Sequence, residues 1–125
     1  MTKIDYSNRF HIIPRTLLQD HLQFGALPYA PEGSLDLSAN SPVSFSQSPE
    51  SSEHGVSWRQ DFSAVVDDRR AVGFSGVRAY IAFAMTDGTL RLIGSAQEAP
   101  LITVTPHAGG QRVSASFLSP EPVIL

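Results

Sequence analysis

At 125 residues, with a formal charge of −3 and only 17% charged residues, the chain has the size of one domain around one core. A nucleic-acid binder gathers a basic excess on one face, and no such excess is present. The absence of cysteine excludes disulfides and thiolate chemistry.

Met1 to Tyr6 is polar and lacks the apolar stretch of a secretory signal, and no apolar run approaches bilayer-spanning length. Synthesis in the cytoplasm with no membrane partner is the expectation. Phe10, Ile12 and Ile13 suggest a short strand ended by Pro14. Between Thr16 and Phe24, Leu17, Leu18, His21 and Leu22 fall at helical spacing, with Gly25 a suitable residue just past a helix end. A short helix over 16–24 and a second strand are both open there. Leu27 to Gly33 reads as loop.

Residues 34–57 contain nine serines, a linker-like composition. Yet Leu35/Leu37 and Val43/Phe45 alternate with polar residues, which predicts two short edge strands limited by Pro42 and Pro49. Ser48 to Glu53 is expected to be a mobile loop.

From Gly55 the alternation is clear. Val56, Trp58, Phe62, Ala64 and Val66 share one face, with Gln60 a polar member of it, and Ser57, Arg59, Asp61 and Ser63 share the other. Asp67-Asp68-Arg69-Arg70 interrupts the pattern, and Gly73 and Gly76 mark a bent connection. Val77, Ala79, Ile81, Phe83 and Met85 then resume it. Asp87-Gly88 between two alternating runs predicts a hairpin with a two-residue type I′ loop. That register sets Met85 opposite Leu90 and Phe83 opposite Leu92. Gly94 to Pro100 connects to a strand from Leu101 to Thr105. With Gly109-Gly110 as the next turn, Val104 lies opposite Ala115 and Ile102 opposite Phe117. Thr103 and Thr105 then pair with Ser116 and Ser114 on a solvated face. The two hairpins in succession predict a meander. Ser119-Pro120-Glu121-Pro122 cannot continue a ladder, and Val123-Ile124-Leu125 forms an apolar tail.

The fold class expected is mostly β: a small β-sandwich or barrel with consecutive antiparallel hairpins. Within one domain spanning 1–125, residues 1–33 form an N-terminal arm or helix region and 34–54 serine-rich edge strands and a loop. Residues 55–118 form the hairpin core, and 119–125 the tail.

Chemistry-bearing patterns are few. His11, His21, His54 and His107 are widely separated, without metal-ligand spacing. Asp61, Asp67 and Asp68 cluster in sequence with Arg59, Arg69 and Arg70, a pattern better explained by a charged strand end and a solvated turn than by an acid/base pair. Gly73-Phe74-Ser75-Gly76 falls one residue short of a nucleophile elbow. Trp58 lies on the apolar face and is expected in the core rather than on a ligand platform. No catalytic, cofactor-binding or metal-ligating residue is assigned, no cofactor is implied, and the chain reads as a non-enzyme. A second class, a small β-sandwich binding a peptide or carbohydrate, would use the Gly73–Gly76 loop and Tyr80, which faces away from the main core.

Four features carry a resemblance: the Trp-containing strand Val56 to Val66, the Asp-Gly hairpin Ala79 to Leu92, Gly94-Ser95 leading to Pro100-Leu101, and a last Gly-Gly hairpin ending in Ser119-Pro120-Glu121-Pro122. Together they resemble small phage and prophage tail or neck structural proteins, over residues 55–122. The resemblance implies a virion structural protein, made in the host cytoplasm and carried in the tail or neck. It implies partners that are proteins: copies of itself in a tail-tube or connector ring, and other virion proteins. Edge strands, a hazard in a monomer, would serve as docking surfaces in a closed ring.

Overall fold

The alternating runs fold as strands because each has one apolar face that must leave water, and the two resulting sheets bury those faces against each other. A computed structural model describes residues 6–18, 26–27, 32–53, 55–95, 98–120 and 122–123. In chain order the elements are β1 (Tyr6–Pro14), α1 (Arg15–Leu18), β2 (Ala26–Leu27), β3 (Leu35–Ser38), β4 (Ser44–Ser52) and β5 (Gly55–Val66). A 3-10 helix (Arg69–Phe74) follows, then β6 (Ala79–Met85), β7 (Leu90–Ile93), β8 (Leu101–His107) and β9 (Gly110–Ser119). One sheet has the order β2-β7-β6-β1-β3 and the other β4-β5-β9-β8, with every pairing antiparallel. The protein is a small β-sandwich rather than a closed barrel.

The core between the sheets takes Phe10, Ile12 and Leu37 from one side of the first sheet with Ile81, Phe83 and Ile93. Phe45, Phe62, Ile102, Val113 and Phe117 meet them from the second. Phe83 is its aromatic centre: its ring stacks on Phe45 at 4.7 Å between centroids and meets Tyr6 edge-on at 5.8 Å. Such pairs add to the energy of area burial.

A second, smaller cluster lies on the outer face of the first sheet, where Ile13, Tyr80, Ala82, Leu92 and Ala99 pack with Leu17 of α1. Strand β6 is therefore buried on both faces. The helix is seen over Arg15–Leu18; the remainder of the 16–24 segment lies outside the described residues.

Three sequence expectations are corrected. First, the β6–β7 register pairs Ala84 with Leu90, Phe83 with Arg91 and Ala82 with Leu92, one residue away from Met85–Leu90 and Phe83–Leu92. The loop has three residues, closed by Met85 N–H donating to the Thr89 carbonyl at 2.8 Å. Gly88 has φ +89° whereas Asp87 does not enter positive φ, so the turn is not type I′. Asp87 instead accepts hydrogen bonds from the Thr89 N–H (2.9 Å) and hydroxyl (2.7 Å). Second, β8–β9 turns at Ala108-Gly109, both with positive φ, and pairs Ile102 with Ala115 and Val104 with Val113. Thr103 meets Ser114, and Thr105 meets Arg112. That shift of two residues preserves the faces. Third, the hairpins do not form a meander: β7 and β8 belong to different sheets, and β9 pairs with β5.

The serine-rich segment also differs from expectation. β3 is a short edge strand, but β4 is nine residues long and absorbs Ser48 to Ser52, the supposed mobile loop. Pro49 sits opposite Trp58 within the ladder, a position open to proline because β4 is an edge strand.

Candidate functional site

The polar residues singled out in the sequence do not converge. Among the described residues, no group of three or more His, Asp or Glu is placed to hold a metal ion; His21 and His54 lie outside them. His11, on β1, has its Nδ1 3.6 Å from an Asp36 oxygen, and burial lowers its pKa despite that carboxylate. His107 ends β8, in the other sheet from His11. Asp68 caps the 3-10 helix by accepting from the Arg70 N–H at 2.9 Å and pairs with that guanidinium at 2.6 Å, which holds its carboxyl below the usual range. Asp67 accepts from Asn40 at 3.3 Å. Asp61 stands apart, in the middle of β5.

Tyr80 is not available to a ligand. It faces away from the main core, as its phase requires, but the second layer covers it completely and its hydroxyl donates to the Ser95 carbonyl at 2.8 Å. Gly94 makes this fit possible: a Cβ there would lie 2.3 Å from the Tyr80 ring. Trp58 is half-buried and does not join the main core, against the sequence expectation.

The reason for the Trp58 result is an overhang. β4 and β5 stay paired from Ser44–Ser63 to Ser52–Gly55, beyond the reach of the core. On the inner side of this arm, the Phe62 and Gln60 positions are buried, Trp58 is partly covered and Val56 is 54% exposed. Burial fades with distance from the sandwich. On the arm's other side Arg59 pairs with Glu50 at 2.6 Å. At its root, the Gln47 side-chain amide grips Val123 in both directions, donating to its carbonyl at 2.7 Å and accepting from its N–H at 3.0 Å. Val123 itself is buried in the main core.

The outer face of the β4-β5-β9-β8 sheet is the other distinctive surface. Two rows run across its four strands: Ser44, Ser63, Ser114 and Thr103, then Ser46, Asp61, Ser116 and Leu101. Beyond the first row lie Val65, Arg112 and Thr105; beyond the second, Arg59 and Leu118. A shallow depression of about 430 Å³ opens over Asp61, Leu101, Thr103, Ser114 and Ser116. Ser116 donates to one Asp61 oxygen at 2.7 Å.

The two edges of this sheet are unequal. Along β8, Gly76 N–H donates to the Ile102 carbonyl at 2.8 Å and Ile102 N–H donates to the Val77 carbonyl at 3.0 Å. The Ser75 hydroxyl accepts from Val104 N–H at 3.2 Å and donates to its carbonyl at 3.4 Å. Pro106 has no N–H to offer. That edge is closed by the chain itself, a common protection against unwanted pairing, and β4 forms the other edge. No sequence signal marked the Ser75 contact, because a lone serine between glycines carries no periodicity.

No protein-family model, curated protein or solved structure matches this chain.

Proposed function

We propose that the protein is a non-enzymatic structural subunit that works through contacts with other protein surfaces, a phage tail or neck ring component of the kind its C-terminal half resembles. The observation that carries this reading is the β4–β5 arm, a paired ribbon whose inner side presents Val56 at 54% exposure and a half-buried Trp58 outside the main core. A ribbon of this kind costs apolar exposure in a monomer and recovers it against a neighbour. Closure of the β8 edge leaves the arm and the β4 edge as the route for head-to-tail contact, which generates a ring when the rotation closes.

Light scattering on the size-exclusion eluate and negative-stain microscopy test the proposal. The expected result is a ring-sized homo-oligomer that is lost in Val56→Glu and weakened in Trp58→Ala. A protein that stays monomeric at high concentration, and is missing from phage particles by mass spectrometry, would overturn it.

A further inference from the structure

The serine-rich outer face carries four charged side chains whose pairing is uneven. Glu50 and Arg59 satisfy each other at 2.6 Å. Asp61 and Arg112, both exposed, form no ion pair among the described residues. They cannot reach each other on one chain. Asp61 is level with Ser116, and Arg112 lies four residues from Ser116 along β9, about 13 Å at a strand's rise. Between them lie Ser63 and Ser114, whose small side chains leave the face low. Asp61 lines the depression and has one oxygen held by Ser116, which leaves its other oxygen free of that hydroxyl. Leu101, 45% exposed, lines this depression, and Leu118, 48% exposed, lies beyond the second row on the same face.

One acceptor and one donor, set apart on a single face, form a self-complementary pair. A two-fold axis parallel to the sheet, above its outer face, and perpendicular to the line joining the two residues at its midpoint brings each Arg112 over the other copy's Asp61. We propose that this face docks a second copy of the chain, sheet against sheet, with the Arg112 guanidinium of each copy seated in the Asp61 depression of the other. The arrangement is isologous: the same patch serves both sides. Planar guanidinium and carboxylate groups are well matched for it, and the low serine surface lets the two sheets approach while Leu101 and Leu118 leave water. The inference rests on the reading that the chain associates with itself, but it uses a different face from the arm.

Charge exchange tests it directly, on exposed positions whose replacement leaves the core untouched. Sedimentation velocity on the full chain should show a dimer that Asp61→Arg weakens at least about tenfold, and Arg112→Asp equally. Each variant alone sets like charges opposite each other at both contacts. Mixed together, the two variants set opposite charges at both contacts, so the mixture should recover the wild-type association. Wild-type association that neither variant weakens would overturn this face while leaving the arm reading in place. Weakening without recovery in the mixture would overturn the Asp61–Arg112 pairing. A dimer sensitive to both variants but indifferent to Val56→Glu would sustain the face and sink the ring, and a strictly monomeric wild type would sink both.

Discussion

Hairpins β6–β7 and β8–β9 follow each other in the chain and end up in different environments. β6 is enclosed on both sides, by the main core on one face and by the Tyr80–Leu92–Ala99 cluster on the other. β8–β9 is enclosed on one side, with Thr103, Thr105, Ser114 and Ser116 left toward solvent. In a strand with one wet face, a shift of one residue would drag polar side chains into the core, so only even shifts are tolerated. In a strand with two dry faces the penalty for an odd shift is small, and the turn decides the register.

That difference can be broken or sharpened by substitution. Phe83→Ala should be the most damaging, costing about 3–5 kcal/mol in denaturant unfolding because the ring is fully enclosed and its neighbours Phe45 and Phe62 cannot collapse onto the gap. A loss below about 1 kcal/mol would mean that β6 is not the shared centre of both sides. Gly94→Ala should cost about 2–3 kcal/mol, since the new methyl meets the Tyr80 ring and the φ of +133° adds backbone strain of its own. In a Tyr80→Ala background the same change should cost markedly less, a non-additivity measured by a double-mutant cycle; equal costs would remove Tyr80 as the reason for glycine.

A smaller effect separates the turns. Ala108 holds φ +33° ahead of Gly109 in the β8–β9 loop. Ala108→Asn should stabilise by about 0.5 kcal/mol, because asparagine tolerates this conformation better than alanine. A rise in melting temperature would show it. The same residue at Asp87 should do nothing comparable, as that position stays out of positive φ.

The outer face of the first sheet should also carry an acid sensitivity, through His11. His11 has its pKa lowered by burial, with Asp36 opposing and Arg9 assisting the shift. The unfolded chain therefore takes up its proton first, near the ordinary value of 6.5. Stability falls as the pH drops below that value and continues to fall until the lower folded pKa is passed. His11→Gln should flatten this portion of the stability-against-pH curve; an unchanged slope would show that another group is responsible.

The legible parts of the fold were those with one wet face. Gly55 to Val66 runs as a strand over the very residues that alternate, and Ile102, Val104, Val113, Ala115 and Phe117 share the face that the pattern assigns them. What the pattern could not convey was partnership at a distance. Nothing in the local sequence says that β9 pairs with β5 rather than β7, or that Tyr80, in an apolar run, meets a second layer built partly from Leu17 and Ala99. Serine misled in a different way. Its abundance between 34 and 57 suggested a flexible loop, yet on the outer face of an edge strand small hydroxyls remain hydrated while the backbone keeps its ladder. Trp58 and Asp61 were legible as single residues, Arg112 carried no sequence signal, and the surfaces proposed above could not be read from any of them. Trp58, Asp61 and Arg112 acquire meaning only from the overhang and the rows of the sheet.

The crossing of the chain between β7 and β8 has a kinetic consequence. Neither C-terminal hairpin can template the other, since each must wait for a strand from far away in the chain: β1 for β6, and β5 for β9. Closing those large loops comes before the sandwich is rewarded by burial, which places such topologies among the slow folders, on the scale of milliseconds to seconds. During that interval the dry faces of β6 stand open together. Apolar surface and strand edges exposed in that interval are prone to association between chains.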